Sequence, residues 1–264
     1  METQKKGINR YNDGMGMREK WLDKYFDSYT TFFDNDDHGL NPRYQIPPFI
    51  NWLREAEILN SENKTISETG LLLASKYKHD NTMVWEIVFI NLCYNSEICK
   101  WFYSNIDYNK TYTKEEMSVI LQDAYPELQD RTLSNPFNSL MNTLKESPIG
   151  KDQIAAILLK DKGKFALVRQ PYNGLSLCAT AYSLYRYAEC VGRKRLTISE
   201  FYQEGQSDGV FRQFGIDKDS LAKKLRSLQE DVNRVLTVEL NMGLDNIILR
   251  EDLNAKDILR IFLK

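Results

Sequence analysis

The run Met83–Leu92 (MVWEIVFINL) constrains this chain most, because its apolar side chains fall on nearly every side of a helix. A helix of that kind must be buried all round rather than laid on a surface. It is about ten residues long, contains Glu86, and gives way to Asn95, Ser96, Glu97 and Lys100, whereas a bilayer needs roughly 20 apolar residues. The run is therefore predicted to be the centre of a core. At roughly 150 residues per domain, 264 residues allow one large domain or two modest ones. A 42% hydrophobic share with 27% charged residues excludes wholesale disorder.

Helical spacing and end signals extend the pattern on both sides. Trp21, Leu22, Tyr25, Phe26, Tyr29 and Phe33 recur at helical intervals over 17–33. A second helix is expected over Phe49–Leu59, behind Pro47 and Pro48, and a third over 67–77, capped from Thr65-x-x-Glu68 or from Ser67. Between these two, residues 60–66 read as a polar loop and short hairpin. Thr113-x-x-Glu116 opens a helix that Pro126 ends, and Asn135-Pro136 is expected to open another through Lys145. Beyond Ser147–Lys151, a Pro- and Gly-bearing boundary, Lys164–Arg169 reads as a strand and 176–191 as a helix. Thr197-x-x-Glu200 signals a short helix, and Asp217 caps one to about Val232. Strands 235–240 and 246–250 flank a Gly-bearing hairpin loop, and Asn254 caps a last helix.

The order implies a mainly α, α+β chain with two winged helix-turn-helix units, 1–80 and 151–264, joined by a helical middle region, 81–150. The two units share organisation and almost no sequence.

The segments Arg18-x-x-Trp21-Leu22, Gly39-x-Asn41, Asn51-Trp52-Leu53 and Thr65-x-x-x-Thr69-Gly70 resemble a bacterial family of uncharacterised proteins encoded beside phosphoadenosine-phosphosulfate (PAPS) reductase-like enzymes. In the C-terminal third, Gly209-x-Phe211, the helix Asp219–Leu228 and Gly243-Leu244-Asp245 are similar in kind. The resemblance implies a place in DNA phosphorothioation or another phage-defence island. No reductase motif is present: there is no Gly-rich phosphate loop after a strand and no cluster-binding Cys set.

Charge bears directly on nucleic-acid binding. Lys plus Arg number 35 against 37 for Asp plus Glu, so the net charge is −2 and no global field draws the chain to DNA or an acidic membrane. Any DNA affinity must be local. In the first expected unit the candidates are Asn41, Arg43, Tyr44 and Gln45 before a recognition helix and Lys64 on its wing, with Arg43 suited to guanine or phosphate and Gln45 to adenine. In the second they are Lys218, Lys223, Lys224 and Arg226 on the helix and the triplet Arg193, Lys194, Arg195. From Arg186 to Arg226 nine basic residues face six acidic ones, a mild local excess. Solvated surface and protein docking are the competing readings of the same residues.

Catalysis finds no support in the pattern. Cys93, Cys99, Cys178 and Cys190 form no C-x-x-C pair, and only His38 and His79 accompany them, so neither a metal nor a thiol-nucleophile motif is expected. Asp34, Asp36 and Asp37 beside His38 read as a solvated turn. The aromatic clusters around Trp101 and Tyr185 suit core packing better than base stacking. The expectation is a cytoplasmic, non-enzymatic protein without cofactor or metal. Its partners are double-stranded DNA, a PAPS reductase-like or other defence protein, or both.

Overall fold

The computed structural model describes residues 7–8, 14–34, 38–161, 164–241 and 243–264. Asp36 and Asp37 of the acidic turn lie outside them. The chain divides into two compact units, Met1–Gln170 and Pro171–Lys264. The expected boundary at Ser147–Lys151 falls inside the first unit, as a short helix.

The first unit begins with four helices, α1 (Glu19–Ser28), α2 (Ile46–Glu55), α3 (Glu68–Tyr77) and α4 (Asn81–Asn95). The apolar run lies in α4, where every residue from Met83 to Cys93 is buried. Two amides of α4 carry the adjoining chain: Asn91 donates to the Ala56 carbonyl at 2.9 Å and Asn95 to that of Glu55 at 2.9 Å. They satisfy carbonyls that the end of α2 leaves without intrahelical donors. Trp21, Tyr25 and Phe32 meet Phe49 edge-on at ring-centroid distances of 5.6, 6.2 and 5.9 Å, joining α1 and its following turn to α2. Ser67 caps α3 by accepting from the Gly70 amide. The hairpin expected at 60–66 is a single bridge, Leu59 to Ile66, and among the described residues the first 80 form no sheet.

The sheet of this unit belongs to its second half. After α5 (Glu97–Asn105) come β1 (Thr111–Thr113), α6 (Lys114–Ala124), α7 (Asp130–Glu146), the short α8 (Pro148–Lys151), β2 (Ile157–Asp161) and β3 (Lys164–Val168). The strands are antiparallel in the order β1-β3-β2. Thr113 and Glu116 form the expected capping box. Helix α7 starts five residues before Asn135 and carries Pro136 inside it, because the stripe Leu133, Phe137, Leu140 and Leu144 is buried on both sides of the proline. Arg169, just past β3, is fully buried. Its guanidinium donates to the carbonyls of Tyr103 and Ile106 at 3.0 Å each and to the Tyr108 hydroxyl, which fastens the end of α5 to the sheet.

The second unit repeats that order. It contains α9 (Leu177–Val191), β4 (Arg195–Thr197), a 3-10 turn at Ser199–Tyr202, α10 (Val210–Phe214), α11 (Lys218–Glu230), β5 (Leu236–Glu239), β6 (Asn246–Leu249) and α12 (Ala255–Leu263). Its sheet is again antiparallel with the last strand in the middle, β4-β6-β5. Leu221, Leu225 and Leu228 bury one stripe of α11. Tyr185 of α9 donates its hydroxyl to the Val235 carbonyl at 2.6 Å and accepts the Arg250 amide at 3.0 Å, and burial pushes its phenol up to about 12. The chain is thus mainly helical with two small antiparallel sheets. No helix among the described residues is long and apolar enough to cross a membrane.

Candidate nucleic-acid interface

In each unit the order helix–strand–helix–helix–strand–strand sets two helices in sequence before a hairpin. The second of the two is α7 in one unit and α11 in the other.

On α11 the sequence sorts its charges by helical spacing. Opposite the buried leucines stand Asp219, Lys223, Arg226 and Glu230, all exposed. Lys223 follows Asp219 by four residues and Glu230 follows Arg226 by four, the spacing at which side chains of opposite charge meet along a helix. Lys224 lies to the side and is half-buried. At the N-terminus, Asp217 accepts the Ser220 amide at 2.7 Å, which holds its carboxyl below the usual range. Lys218 stands over the Tyr202 ring, 5.2 Å from its centroid, and Tyr202 itself donates to the Ile216 carbonyl. Of the four helix cations, Lys223 and Arg226 therefore share the outer face, and Lys218 is stacked on an aromatic ring.

The basic triplet is divided. Arg193 pairs with Glu200 at 2.9 Å, against a carboxylate that also accepts the Thr197 amide. Lys194 donates to the Leu253 carbonyl at 2.6 Å and lies 4.5 Å from the centroid of the Tyr185 ring. Of the three, Arg195 on β4 presents an exposed cation without such a role in the packing. At the hairpin end, Asp245 accepts the Ser199 amide, Glu239 accepts the Asn246 side-chain amide, and Leu244 is 52% exposed. From 239 to 245 the sequence holds no cation.

In the first unit, Asn41, Arg43, Tyr44 and Gln45 form the turn that enters α2. The Asn41 side-chain oxygen accepts the amides of Arg43 and Tyr44, and the Gln45 side chain accepts that of Asn41 at 2.8 Å. Arg43 lies over the Tyr44 ring at 5.3 Å. Lys64 is held 5.8 Å from the Phe33 ring centroid, against the turn after α1.

Sequence reasoning missed the exposed start of α7, where Arg131, Ser134 and Asn135 are open to solvent. Reading Asn135 as the cap hides the preceding turn. Further along, the outer side of α7 is covered by residues 14–17. Asn142 donates to the Gly14 carbonyl at 2.8 Å, and the Met17 amide donates to Thr143 Oγ1 at 2.9 Å. Gly16 is required there: a Cβ would stand 2.3 Å from the Thr143 nitrogen and 2.5 Å from the Ser139 oxygen.

Helix charge separates the units as well. Residues 114–146 hold six acidic and three basic residues, whereas 210–230 hold three acidic and five basic. Among the described residues no three His, Cys, Asp or Glu side chains converge as metal ligands. Cys93, Cys99 and Cys178 are buried and Cys190 is exposed. Burial pushes the Cys99 thiol up to about 12, which keeps it protonated.

Among solved structures, the chain is similar to one described as magnesium ion-bound SspB, with a TM-score of 0.70 at 12% identity over 96% of this chain and 87% of that one. It is similar also to the SspB crystal structure, with a TM-score of 0.67 at 11% identity over 95% and 85%. At such identity the likeness shows the fold alone. No protein-family model and no curated protein matches the sequence.

Proposed function

We propose that this chain is a non-enzymatic DNA-binding or adaptor component of a bacterial DNA-modification or anti-phage defence system. In this reading the two repeated arrangements are winged helix-turn-helix units, 97–168 and 177–263. The observation that carries the reading is the sheet order: in both units a three-residue strand precedes the helix pair and the last strand inserts in the middle. A winged helix places its second helix in the major groove and its hairpin beside the backbone. Helix α11 supplies Lys223 and Arg226 for that contact, with Arg195 on the adjoining sheet as a further phosphate ligand. The resemblance of the Trp21-Leu22 and Asn51-Trp52-Leu53 segments to proteins encoded beside PAPS reductase-like enzymes supports the defence context. The fold likeness to SspB over nearly the whole chain agrees with it. The magnesium named for that neighbour is not carried over, since no three ligands converge among the described residues.

A second reading is favoured by one observation: Asp219 and Glu230 match the two outer cations of α11, and the hairpin end carries carboxylates and Leu244. Such a surface suits docking onto a PAPS reductase-like or nuclease partner without DNA contact. Fluorescence anisotropy decides between the two, using a labelled duplex with and without phosphorothioate linkages from about 50 to 200 mM salt, where phosphate-driven binding falls steeply. Salt-sensitive binding that Lys223→Glu with Arg226→Glu abolishes supports the DNA reading. No binding at the lowest salt supports docking.

A further inference from the structure

Helices α6 and α7 enclose a surface groove of about 350 Å³ that the DNA reading leaves unused. Its apolar lining is Val119, Leu121, Leu133 and Phe137. The three inner residues are buried, and Val119 at 60% stands open at the lip. Beside them Gln122 donates to the Leu128 carbonyl at 2.8 Å, while its own oxygen is buried without a hydrogen-bond donor.

Charge runs along the groove. At one end Lys114 donates to the Asn138 side chain at 3.3 Å and lies 5.9 Å from the Phe137 ring centroid. At the other, on either side of the helix-to-helix turn, Asp123 and Asp130 line the rim, both exposed. With twice as many acidic as basic residues over 114–146, this pair of helices repels a phosphate backbone and attracts cations. An apolar trough with an acidic rim is the complement of a short amphipathic helix that sets its apolar face inward and its basic residues on the rim.

We propose that the α6–α7 groove is a docking site for a basic amphipathic segment of a partner protein, anchored by large apolar side chains beside Phe137, with its cations toward Asp123 and Asp130. This assignment stands apart from DNA contact by α11, and each can fail without the other.

The test is anisotropy of the full chain with a fluorescein-labelled 15-residue peptide carrying leucine at i, i+3 and i+7 and lysine elsewhere. Its counterpart with glutamate for every lysine is the control. The lysine peptide is expected to bind at least tenfold more tightly than the glutamate one. Val119→Arg, which fills the lip and adds a positive charge, and Asp123→Lys with Asp130→Lys, which reverses the rim, are each expected to weaken binding at least tenfold. Glu230→Lys on α11 is expected to leave it unchanged. Ser118→Arg, on the same rim, serves where Val119→Arg alters the melting curve. Equal binding of the two peptides, or binding that both groove variants leave intact, overturns the proposal.

Discussion

The two units place an arginine at the same point, one residue after the strand that completes the sheet, and use it in opposite ways. Arg169 is fully buried and spends its donors on the Tyr103, Ile106 and Tyr108 oxygens. Arg250 stays at the surface, bound to Asp252 at 2.6 Å and donating to the Asn233 carbonyl. A guanidinium out of water must have every donor met or it destabilises, while a solvated ion pair contributes little. The same topology therefore serves a first unit with a guanidinium sealed at its centre and a second that keeps the matching one at the surface. The outer helices follow suit: α7 is bonded to the 14–17 segment and acidic in its surroundings, and α11 is open with Lys223 and Arg226 outward.

The largest expected effect comes from breaking this contrast at the arginines. Arg169→Met removes the guanidinium that the Tyr103 and Ile106 carbonyls accept from and should destabilise the first unit by about 3–5 kcal/mol, read as an early transition in calorimetry. Arg250→Met should leave the melting of the second unit within error. Should both substitutions cost alike, the buried arginine is not what distinguishes the units.

Next in size is the covering of α7. Gly16→Val drives a side chain into the Thr143 and Ser139 backbone, and overpacking of this kind costs about 1–3 kcal/mol. The measurement is a denaturant melt together with protease sensitivity of residues 14–17. An unchanged melt would show that this segment does not hold α7.

Smaller, and sharpening the comparison in function, is the charge exchange on the outer helices. Lys223→Glu with Arg226→Glu should weaken duplex binding at least tenfold, which is about 1.4 kcal/mol, and make the salt dependence shallower by about 0.9 in slope for each phosphate no longer neutralised. Arg131→Glu at the start of α7 should change neither. Equal effects from both helices would put the first unit on DNA as well.

The smallest effect concerns acid. Asp217 and Asp257 are held below the usual carboxylate range by the Ser220 and Asn254 amides, and Asp252 by Arg250, whereas in the first unit Glu116 is so held by the Thr113 amide. A carboxylate whose folded pKa is lowered adds stability above its unfolded value and loses it as the pH falls through the folded one. The second unit should therefore lose more stability than the first below about pH 4, a difference that Asp217→Asn with Asp257→Asn removes. Near-UV circular dichroism against pH measures it.

Much of this fold is written locally. Ser67, Thr113, Asp217 and Asn254 each cap the helix expected of them, because a side chain bonding an amide three residues on needs no other part of the chain. The apolar density of 83–92 likewise announces its burial. Features decided at long range are the ones that escape. Strands of three residues, 111–113 and 195–197, are too short to show alternation, yet they complete both sheets. Without them the pattern points to residues 1–80 for the first repeat instead of 97–168. Counting cations gives Arg193 and Lys194 the same weight as Lys223, although Glu200 and the Leu253 carbonyl hold them. Whether a lysine faces solvent or a backbone carbonyl is settled by neighbours 59 positions away, which no local pattern reports.

The position of β3 and β6 between strands that precede them sets an order on assembly. As the chain leaves the ribosome, β1 and β2 have no partner in each other, and Tyr112 and Leu158 both wait for Leu167. Neither sheet can grow strand by strand in chain order; each is closed by its last strand, arriving after both helices of the pair have been made. The first unit thus reaches its sealed state only when Arg169 has followed that strand out, and the second must wait for residues 246–249. For both, the slow step of folding is expected to be the arrival of the centre, not the growth of an edge.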